Sequence, residues 1–438
     1  MARAFRWFLV LLLIAYGLVW WFSLRIEQRD VWPPPPDAVT AAEAPAATAD
    51  YVQRSSHSLE DLSIPLAPST MVSPEFFLDG TTFFPAMLGD IRAATESVHL
   101  QIFGMQPGDV ADEFTNALME RASAGVDVRL IVDNYGSRVD SKSEGMFTRL
   151  RESGVEIVSN NPFPLDRDGL VGQRTIDWRH DELGQVDHRK AMVVDGRIGW
   201  IGGAGFEDHY QDGRFTDVFI RFEGDLVRQL QLVFLTSFAT LGGPVAISSD
   251  TLATNFPAPA NPGTIPAWIT QNLPGGYLES TQASRETIRQ STTRLDIMNP
   301  YLTDPGVIDD ILAAAKRGVR VRLIVSQSPH TTQAQFALES YYPALTKAGV
   351  EIWEHPGTMH AKITIADDRL IVGSVNYDAW ALYRNLELAV VIDDAAVADE
   401  AVASLIEPSI AKSTLATDDF PWYEAARNWF WARLSYFL

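Results

Sequence analysis

Cysteine is absent from all 438 residues of this sequence. Its absence excludes disulfide bonds, a thiolate nucleophile and metal sites with cysteine ligands. Positive charge is also scarce, since 35 Lys and Arg residues stand against 56 Asp and Glu residues and leave a formal net charge of −21 at pH 7. A chain this acidic repels a phosphate backbone over most of its surface, which argues against a general nucleic-acid-binding protein. Only six of the positive residues are lysines, and two of these belong to one duplicated motif.

The sequence opens with one long apolar run. Residues 7–24 carry no charge, and tryptophan stands near both ends of the run. This length can cross the roughly 30 Å hydrocarbon core of a bilayer, so we predict a transmembrane anchor over residues 1–26. A cleaved signal peptide is the alternative, although no small-x-small cleavage site follows the run. Positive charge before the run favours a cytoplasmic N-terminus, with the remaining chain on the periplasmic side of the cell inner membrane.

Beyond this run, composition divides the chain into further segments. Residues 27–70 are rich in Pro and Ala and are predicted to form an extended tether without a core of its own. Residues 71–250 and 265–410 are predicted to be two domains, with a boundary in the Gly- and Pro-rich stretch around residues 242–266.

The last segment, residues 411–438, is rich in aromatic residues. Trp422, Trp429 and Tyr436 recur every seven residues and would share one face of a helix. Such a helix can pack on the body of the protein or lie at a lipid surface, and the sequence leaves both open.

The two predicted domains are related by an internal repeat. Residues 124–132 (AGVDVRLIV) match residues 317–325 (RGVRVRLIV), and residues 153–157 (SGVEI) match residues 348–352 (AGVEI). In the first copy, periodicity predicts strand, helix, strand, helix and strand near residues 97–103, 109–124, 126–132, 143–153 and 155–159. This alternation predicts the α/β fold class, with two similar domains related by the repeat.

The strongest chemical signal is a His-x-Lys-x4-Asp motif that occurs once in each repeat. The catalytic candidates are its members, His188, Lys190 and Asp195 in the first copy and His360, Lys362 and Asp367 in the second. Residues i and i+2 of a strand point to the same face, so the His and Lys of each copy project together. Two copies facing each other would form a pocket suited to a phosphate ester. One imidazole can attack phosphorus while the other protonates the leaving alcohol, and the lysines offset the phosphate charge.

A nucleophilic His also needs an acceptor to fix its other ring nitrogen. From their equivalent places in the repeat, Asp217 is predicted to orient His188 and Glu387 to orient His360. Asp208 is an alternative to Asp217.

Two other features bear on ligands. The second motif is followed by a Gly-Ser-x-Asn turn, whose Ser374 and Asn376 are predicted to contact phosphate oxygens. A zinc site would use His and carboxylates without lysines directed at the metal, so no metal is predicted, and no organic cofactor either. Five further histidines are assigned structural or surface roles: His57, His180, His209, His330 and His355.

At the duplicated motif the chain resembles the phospholipase D superfamily, and within it bacterial cardiolipin synthases. The resemblance spans about residues 75–410 and includes three short stretches, residues 161–164, 187–196 and 373–378. It implies two domains that share one active site at their interface. It also implies that His188 is the nucleophile, that His360 is the general acid and base, and that the two motif aspartates are structural. The sequence departs from the family pattern at Gly205, where Asn is usual, and at Trp380-Ala381, where Arg-Ser is usual.

The leading hypothesis is a phosphatidyltransferase of the cardiolipin synthase type. It would move a phosphatidyl group from phosphatidylglycerol, through a phosphohistidine, to a second lipid alcohol at the membrane. A phospholipase D-type hydrolase would use the same residues with water as the acceptor. A nuclease suits the chemistry but not the acidic composition, so no nucleic-acid partner is expected. A non-catalytic lipid-binding protein would not need both motifs intact.

Overall fold

The computed structural model describes residues 34, 37–54, 62–137, 143–160, 186–274 and 276–437. The predicted anchor and the family-like stretch at residues 161–164 lie outside these ranges. Within them, no helix combines the length and the apolar character needed to cross a membrane.

The segment before the first half is folded rather than extended. Ala44–Gln53 form helix α1, and Ser69–Met71 form strand β1, which pairs antiparallel with a strand of the second half. Tyr51 is fully buried, and its hydroxyl lies 2.6 Å from Oγ1 of Thr240. The prediction of an extended tether is therefore wrong for residues 37–54 and 62–70. Small Ala and Thr side chains build no core alone, but they allow α1 to pack closely on the body.

The first half is built on a mixed sheet that contains the earlier copy of the repeat. Its elements in chain order are β2 (Glu75–Leu78), α2 (Gly80–Ala93), β3 (Ser97–Ile102), α3 (Asp109–Ser123), β4 (Asp127–Asp133), α4 (Glu144–Glu152), β5 (Glu156–Asn160), β6 (Ala191–Val194), β7 (Ile198–Gly202), α5 (Asp208–Gln211), β8 (Phe215–Thr216), β9 (Val218–Glu223) and α6 (Leu226–Thr240). The strand order is β2-β9-β7-β6-β3-β4-β5. β3, β4 and β5 run parallel because helices connect them, and β6, β7, β9 and β2 are antiparallel to their neighbours.

The second half repeats this plan after the short helix α7 (Ser249–Asn255). Its elements are β10 (Ile265–Asn272), α8 (Glu279–Gln290), β11 (Arg294–Met298), α9 (Pro305–Lys316), β12 (Arg320–Ser326), α10 (Thr332–Glu339), α11 (Tyr342–Lys347), β13 (Glu351–His355), β14 (Thr358–Met359), β15 (Ile363–Ala366), β16 (Arg369–Gly373), α12 (Ala379–Tyr383), β17 (Glu387–Asp393), α13 (Ala395–Ala401), a π-helical turn (Val402–Ile406), α14 (Glu407–Lys412), β18 (Thr414–Leu415), α15 (Trp422–Arg433) and a 3-10 turn (Ser435–Phe437). The strand order is β1-β10-β17-β16-β15-β11-β12-β13-β18.

The repeated glycines have the same role in both halves. Gly125 and Gly318 follow α3 and α9 with φ values of 89° and 93°, a left-handed conformation that ends a helix and suits glycine. An added Cβ would meet nothing within 4 Å at either position, so the requirement is conformational rather than steric. The chain then enters β4 and β12, which are almost wholly buried between parallel neighbours.

One apolar cluster is shared by the two halves. It includes Val193 and Ile201 of the first sheet together with Val372 and Leu388 of the second. These residues belong to strands that lie within or directly after the two motifs. Packing of the two hairpins on each other therefore brings the motifs to one interface.

The C-terminal helix α15 packs on the second half with one face only. Nη2 of Arg427 lies 3.2 Å from Oε2 of Glu339 at the end of α10. Trp422 and Trp429 remain 82% and 59% exposed. Packing on the body is thus confirmed for one face of the helix, and contact of the aromatic face with lipid stays a prediction.

Candidate active site

The His and Lys of both motifs lie at the interface between the halves, immediately before β6 and β15. Each motif histidine is bonded through its backbone to the opposite half: His188 N–H donates to the carbonyl of Leu386 (3.0 Å), and His360 N–H donates to that of Thr216 (2.7 Å). The structure brings together four side chains, all of them buried, that the sequence predicts for one shared site: His188, Lys190, His360 and Lys362.

Each imidazole is held by a carboxylate from the other half. Nδ1 of His188 lies 3.0 and 3.1 Å from the two carboxylate oxygens of Glu387, and Nδ1 of His360 lies 2.6 Å from Oδ2 of Asp217. Both predicted carboxylates are present, but the predicted pairing within each half is wrong. The motifs face each other across the interface, so each ring reaches the carboxylate on the opposite sheet. Asp208, the alternative partner, accepts a hydrogen bond from the first turn of α3 instead (2.9 Å).

These contacts determine which ring nitrogen is reactive. When it is ionised, Glu387 can only accept a hydrogen bond, so Nδ1 of His188 then carries the proton and Nε2 keeps its lone pair. Nδ1 of His360 lies 2.6 Å from Nζ of Lys362 as well as from Oδ2 of Asp217. Burial, followed by the nearby charges of the two motif lysines, lowers the pKa of His188 and His360 well below 6.5. Both rings are therefore neutral in the free site, and either Nε2 can attack phosphorus or accept a proton.

Burial also opposes charge on the carboxylates. It raises the pKa of Asp217 to about 6 and that of Glu387 to about 8. The charges of Lys362 and Lys190 and a hydrogen bond from Ser374 reduce this rise without cancelling it.

The lysines are buried beside the imidazoles. Nζ of Lys190 lies 4.8 Å from the centroid of the Phe103 ring, and Nζ of Lys362 lies 3.7 Å from Oδ2 of Asp217. Burial lowers the pKa of Lys190 to about 7 and that of Lys362 to about 8. Added negative charge, such as that of a phosphodiester anion, would therefore stabilise the charged form of each lysine.

The Gly-Ser-x-Asn turn has two separate roles. The Ser374 hydroxyl donates to Oε2 of Glu387 and accepts the N–H of Leu388 at 3.0 Å. A hydroxyl has one proton, so the structure corrects the predicted phosphate contact of Ser374, which instead fixes the carboxylate that orients His188. Asn376 is buried, and its Oδ1 has no hydrogen-bond partner among the described residues. Its Nδ2 is the atom that could donate to a phosphate oxygen.

Aromatic side chains that the sequence does not predict surround the histidines. The ring of Phe103 stands 4.8 Å from that of His188, and the hydroxyl of Tyr210 lies 3.3 Å from Nδ1 of His360. Isolated aromatic residues carry no spacing signal. Only the position of Phe103 could have indicated a role in the site. It directly follows β3, and ligands tend to bind at the carboxyl ends of parallel strands.

The motif aspartates lie apart from the imidazoles, in the turns that follow β6 and β15. Asp195 and Asp367 have φ values of 52° and 51°, a conformation that Asp tolerates better than most residues. Their carboxylates accept backbone N–H groups of residues 95–97 and 292–294 respectively. A strand rise of about 3.3 Å per residue places them roughly 15 Å from the lysines. The prediction that Asp195 and Asp367 are catalytic is therefore wrong. They anchor the hairpins that carry the site.

Asp367→Ala should lower the free energy of unfolding by about 3 kcal/mol, because several hydrogen bonds to a charged acceptor are lost. Burial alone would raise the pKa of Asp367, but hydrogen bonds from Thr293, Arg294 and Thr292 outweigh it and hold the pKa below its usual value. A depressed carboxyl pKa stabilises the fold above the unfolded pKa, so the deficit should shrink as pH falls below about 4. Urea unfolding measures it, with the exposed neighbour Asp368→Ala as the control. An equal loss in both variants would contradict the prediction.

The lysines predict an unusual pH profile. Because the pKa values of Lys190 and Lys362 are lowered to about 7 and about 8, their charged forms are lost as pH rises through that range. We expect kcat/KM, which reports the free enzyme, to fall on the alkaline side near pH 7–8. A profile measured from pH 5 to 11 that stays flat to pH 10 would contradict this. On the acid side, activity should fall as Asp217 and Glu387, whose pKa values are raised to about 6 and about 8, lose the charge that orients the histidines.

The family described as "Cardiolipin synthase, PLD-like domain" matches residues 87–236 and 285–407, one block in each half. The chain belongs to the cardiolipin synthase family of phospholipase D-like proteins. It is 32% identical over 374 residues to minor cardiolipin synthase ClsB of Bacillus subtilis strain 168, covering 82% of this chain and 87% of that relative. It is 28% identical over 343 residues to a cardiolipin synthase of Halalkalibacterium halodurans, covering 76% and 65%.

Solved structures share the fold of this cardiolipin synthase family member. Phosphatidylserine synthase of Haemophilus influenzae Rd KW20 aligns with a TM-score of 0.63 at 13% identity, over 90% of this chain and 100% of that one. Polyphosphate kinase of Porphyromonas gingivalis aligns with a TM-score of 0.51 at 13% identity, over 83% and 56%. At such identity the likeness concerns the fold alone.

The two departures from the usual cardiolipin synthase pattern have local structural causes. A Cβ added at Gly205 would lie 2.8 Å from the carbonyl oxygen of Gly104, so the backbone leaves no room for the usual Asn. Asn376 of the second motif therefore has no counterpart in the first, and the site is asymmetric. Trp380, in the usual place of Arg, packs under Arg384, whose guanidinium carbon lies 5.2 Å from the ring centroid.

Proposed function

We propose that this protein transfers a phosphatidyl group from one phosphatidylglycerol to another, forming cardiolipin and releasing glycerol. The chain is a phosphatidyltransferase of the cardiolipin synthase type, as its family membership and relatives support. The observation that carries the chemistry is the crossed pair of imidazoles, each oriented by a buried carboxylate of the opposite half and accompanied by a lysine. A protein that only bound lipid would not need this arrangement.

In the first step, Nε2 of His188 attacks phosphorus and forms a P–N bond while the P–O bond to glycerol breaks. His360, protonated when the anionic donor is bound, gives its Nε2 proton to the departing glycerol oxygen. The lysines and the amide of Asn376 bind the phosphate oxygens, where charge builds up in the transition state.

In the second step, the neutral Nε2 of His360 removes the proton from a hydroxyl of the second phosphatidylglycerol. That oxygen attacks phosphorus, and the P–N bond to His188 breaks. The proton taken up by His360 restores the acid for the next donor. If water replaces the lipid hydroxyl, the same sequence releases phosphatidic acid, which is the hydrolase alternative.

We further propose that residues 1–26 anchor the protein in the inner membrane with its catalytic body on the periplasmic side. The uncharged run at residues 7–24 supports this proposal. Anchoring would confine enzyme and lipid to two dimensions. Protease added to intact spheroplasts should digest the body, and protection of the body would refute the orientation.

The test of function is to incubate the purified full chain with labelled phosphatidylglycerol in mixed micelles and to resolve the products. Cardiolipin and glycerol, absent with His188→Ala, would establish the transferase. His355→Ala is the matched control, since His355 lies in β13 and its ring makes no hydrogen bond within the described part of the chain. Phosphatidic acid alone would make the protein a hydrolase, and no lipid turnover would refute the assignment.

A further inference from the structure

The two motif histidines have different surroundings. The ring centroids of Phe215 and Tyr301 lie 5.8 and 6.5 Å from that of His360. The His188 ring instead adjoins Phe103, over which the ammonium group of Lys190 lies. Phe215 and Tyr301 thus form an aromatic wall beside His360. On this side of the site, the proposed reaction protonates the leaving alcohol and then deprotonates the acceptor alcohol.

Two histidines outside the motifs extend this wall. The centroid of the His209 ring lies 4.2 Å from that of Phe215, and the centroid of His330 lies 5.8 Å from it. His209 belongs to α5 of the first half and His330 precedes α10 of the second, so the wall spans the interface. His330 is exposed, and His209 and Phe215 are partly exposed, so the wall is open to a substrate.

The charged side chains around His209 include two carboxylates and a guanidinium that is paired with one of them. Nδ1 of His209 lies 3.4 Å from Oε2 of Glu207, and burial, then the charges of Arg214 and His330, lower the pKa of His209 to about 4. Arg214 itself is paired with Asp212 (2.7 Å). Such surroundings suit neutral hydroxyl groups better than a second phosphate.

Tyr301 supplies a donor to the same wall. Its hydroxyl accepts a hydrogen bond from Oγ1 of Thr331 at 3.3 Å, which leaves its own proton for a ligand. Burial raises the pKa of Tyr301, so this proton stays in place at neutral pH.

We propose that Phe215, Tyr301 and His209 form a binding site for a polyhydroxy alcohol: the glycerol head group that leaves the donor, and then that of the acceptor. This inference rests on the proposed function and specifies its acceptor. Convergent polar groups beside an aromatic surface are the usual construction of a small-molecule site. A bound head group would exclude water from Nε2 of His360 and so favour transfer over hydrolysis.

The test is a competition between two acceptors of the same carbon length. Labelled phosphatidylglycerol is given equal concentrations of glycerol and 1-propanol, and the lipid products and phosphatidic acid are resolved. Wild type should prefer glycerol, because a site built to bind hydroxyl groups rejects an analogue that lacks them. His209→Ala and the conservative Tyr301→Phe should each reduce the glycerol-to-propanol ratio by about tenfold, equivalent to about 1.4 kcal/mol. Transfer to 1-propanol should fall less than transfer to glycerol, because both acceptors share the donor step, and the share of hydrolysis should rise as water gains access to His360.

His355→Ala again serves as the control and should keep the wild-type ratio. An unchanged ratio in both wall variants would overturn the inference. So would an equal loss with both acceptors, because that is the signature of a merely structural role. Failure of the proposed function looks different, since wild type itself would then turn over no lipid.

Discussion

His188→Ala should lose all measurable phosphatidyl transfer while remaining folded, because the proposed reaction forms its P–N bond at Nε2 of His188. Loss of a covalent nucleophile costs on the order of 10⁶ in kcat. His360→Ala should fail differently, because the step it blocks depends on the leaving group. With phosphatidyl-p-nitrophenol, whose leaving group departs without a proton, we expect attack by His188 to proceed and the next step to stall for want of a base.

The measurement is a rapid-mixing assay of p-nitrophenol release combined with the intact mass of the protein. His360→Ala should release one equivalent in a burst and gain the mass of one phosphatidyl group, in an acid-labile linkage. His188→Ala should show neither. A burst that survives in His188→Ala would exchange the roles of the two histidines, and no covalent species in any variant would refute the phosphohistidine.

Glu387→Gln should lower kcat by about 10⁴ with little change in stability, since the same kind of substitution beside a catalytic histidine leaves the geometry intact and selects the wrong tautomer. The carboxylate of Glu387 lies 3.0 Å from Nδ1 of His188 and requires the proton on that nitrogen. The Gln amide can donate to Nδ1 instead, which places the ring proton on Nε2 and removes the lone pair that attacks phosphorus.

Asp217→Asn is the matched comparison, because Asp217 holds the other imidazole at 2.6 Å. With phosphatidyl-p-nitrophenol, Glu387→Gln should lose the burst, whereas Asp217→Asn should keep it and slow only the later turnover. If the carboxylates served the histidines of their own halves, the two results would be exchanged. The assay therefore tests the crossed pairing directly.

Much of the fold could be predicted because its signals are local. The strand predicted near residues 97–103 is Ser97–Ile102, and the helix predicted near 109–124 is Asp109–Ser123. Apolar periodicity and a glycine stop at Gly125 act within a few residues of the chain, so no tertiary context is needed to recognise them. The sequence does not predict the helix within residues 37–54. A segment of such small side chains is stable as a helix only when it packs on another surface of the protein.

The repeat, the two α/β halves and the residue types of the site follow from the sequence alone, because the duplicated spacing places two His-Lys pairs directly before equivalent strands. Three features of the site depend on tertiary packing: which carboxylate orients which histidine, the hydrogen bond of Ser374 to Glu387, and the positions of Phe103, Tyr210 and Phe215 around the imidazoles. All of these contacts form between residues distant in the chain, most of them across the interface of the two halves. No spacing within one strand or turn encodes them, since they exist only once the two sheets pack together.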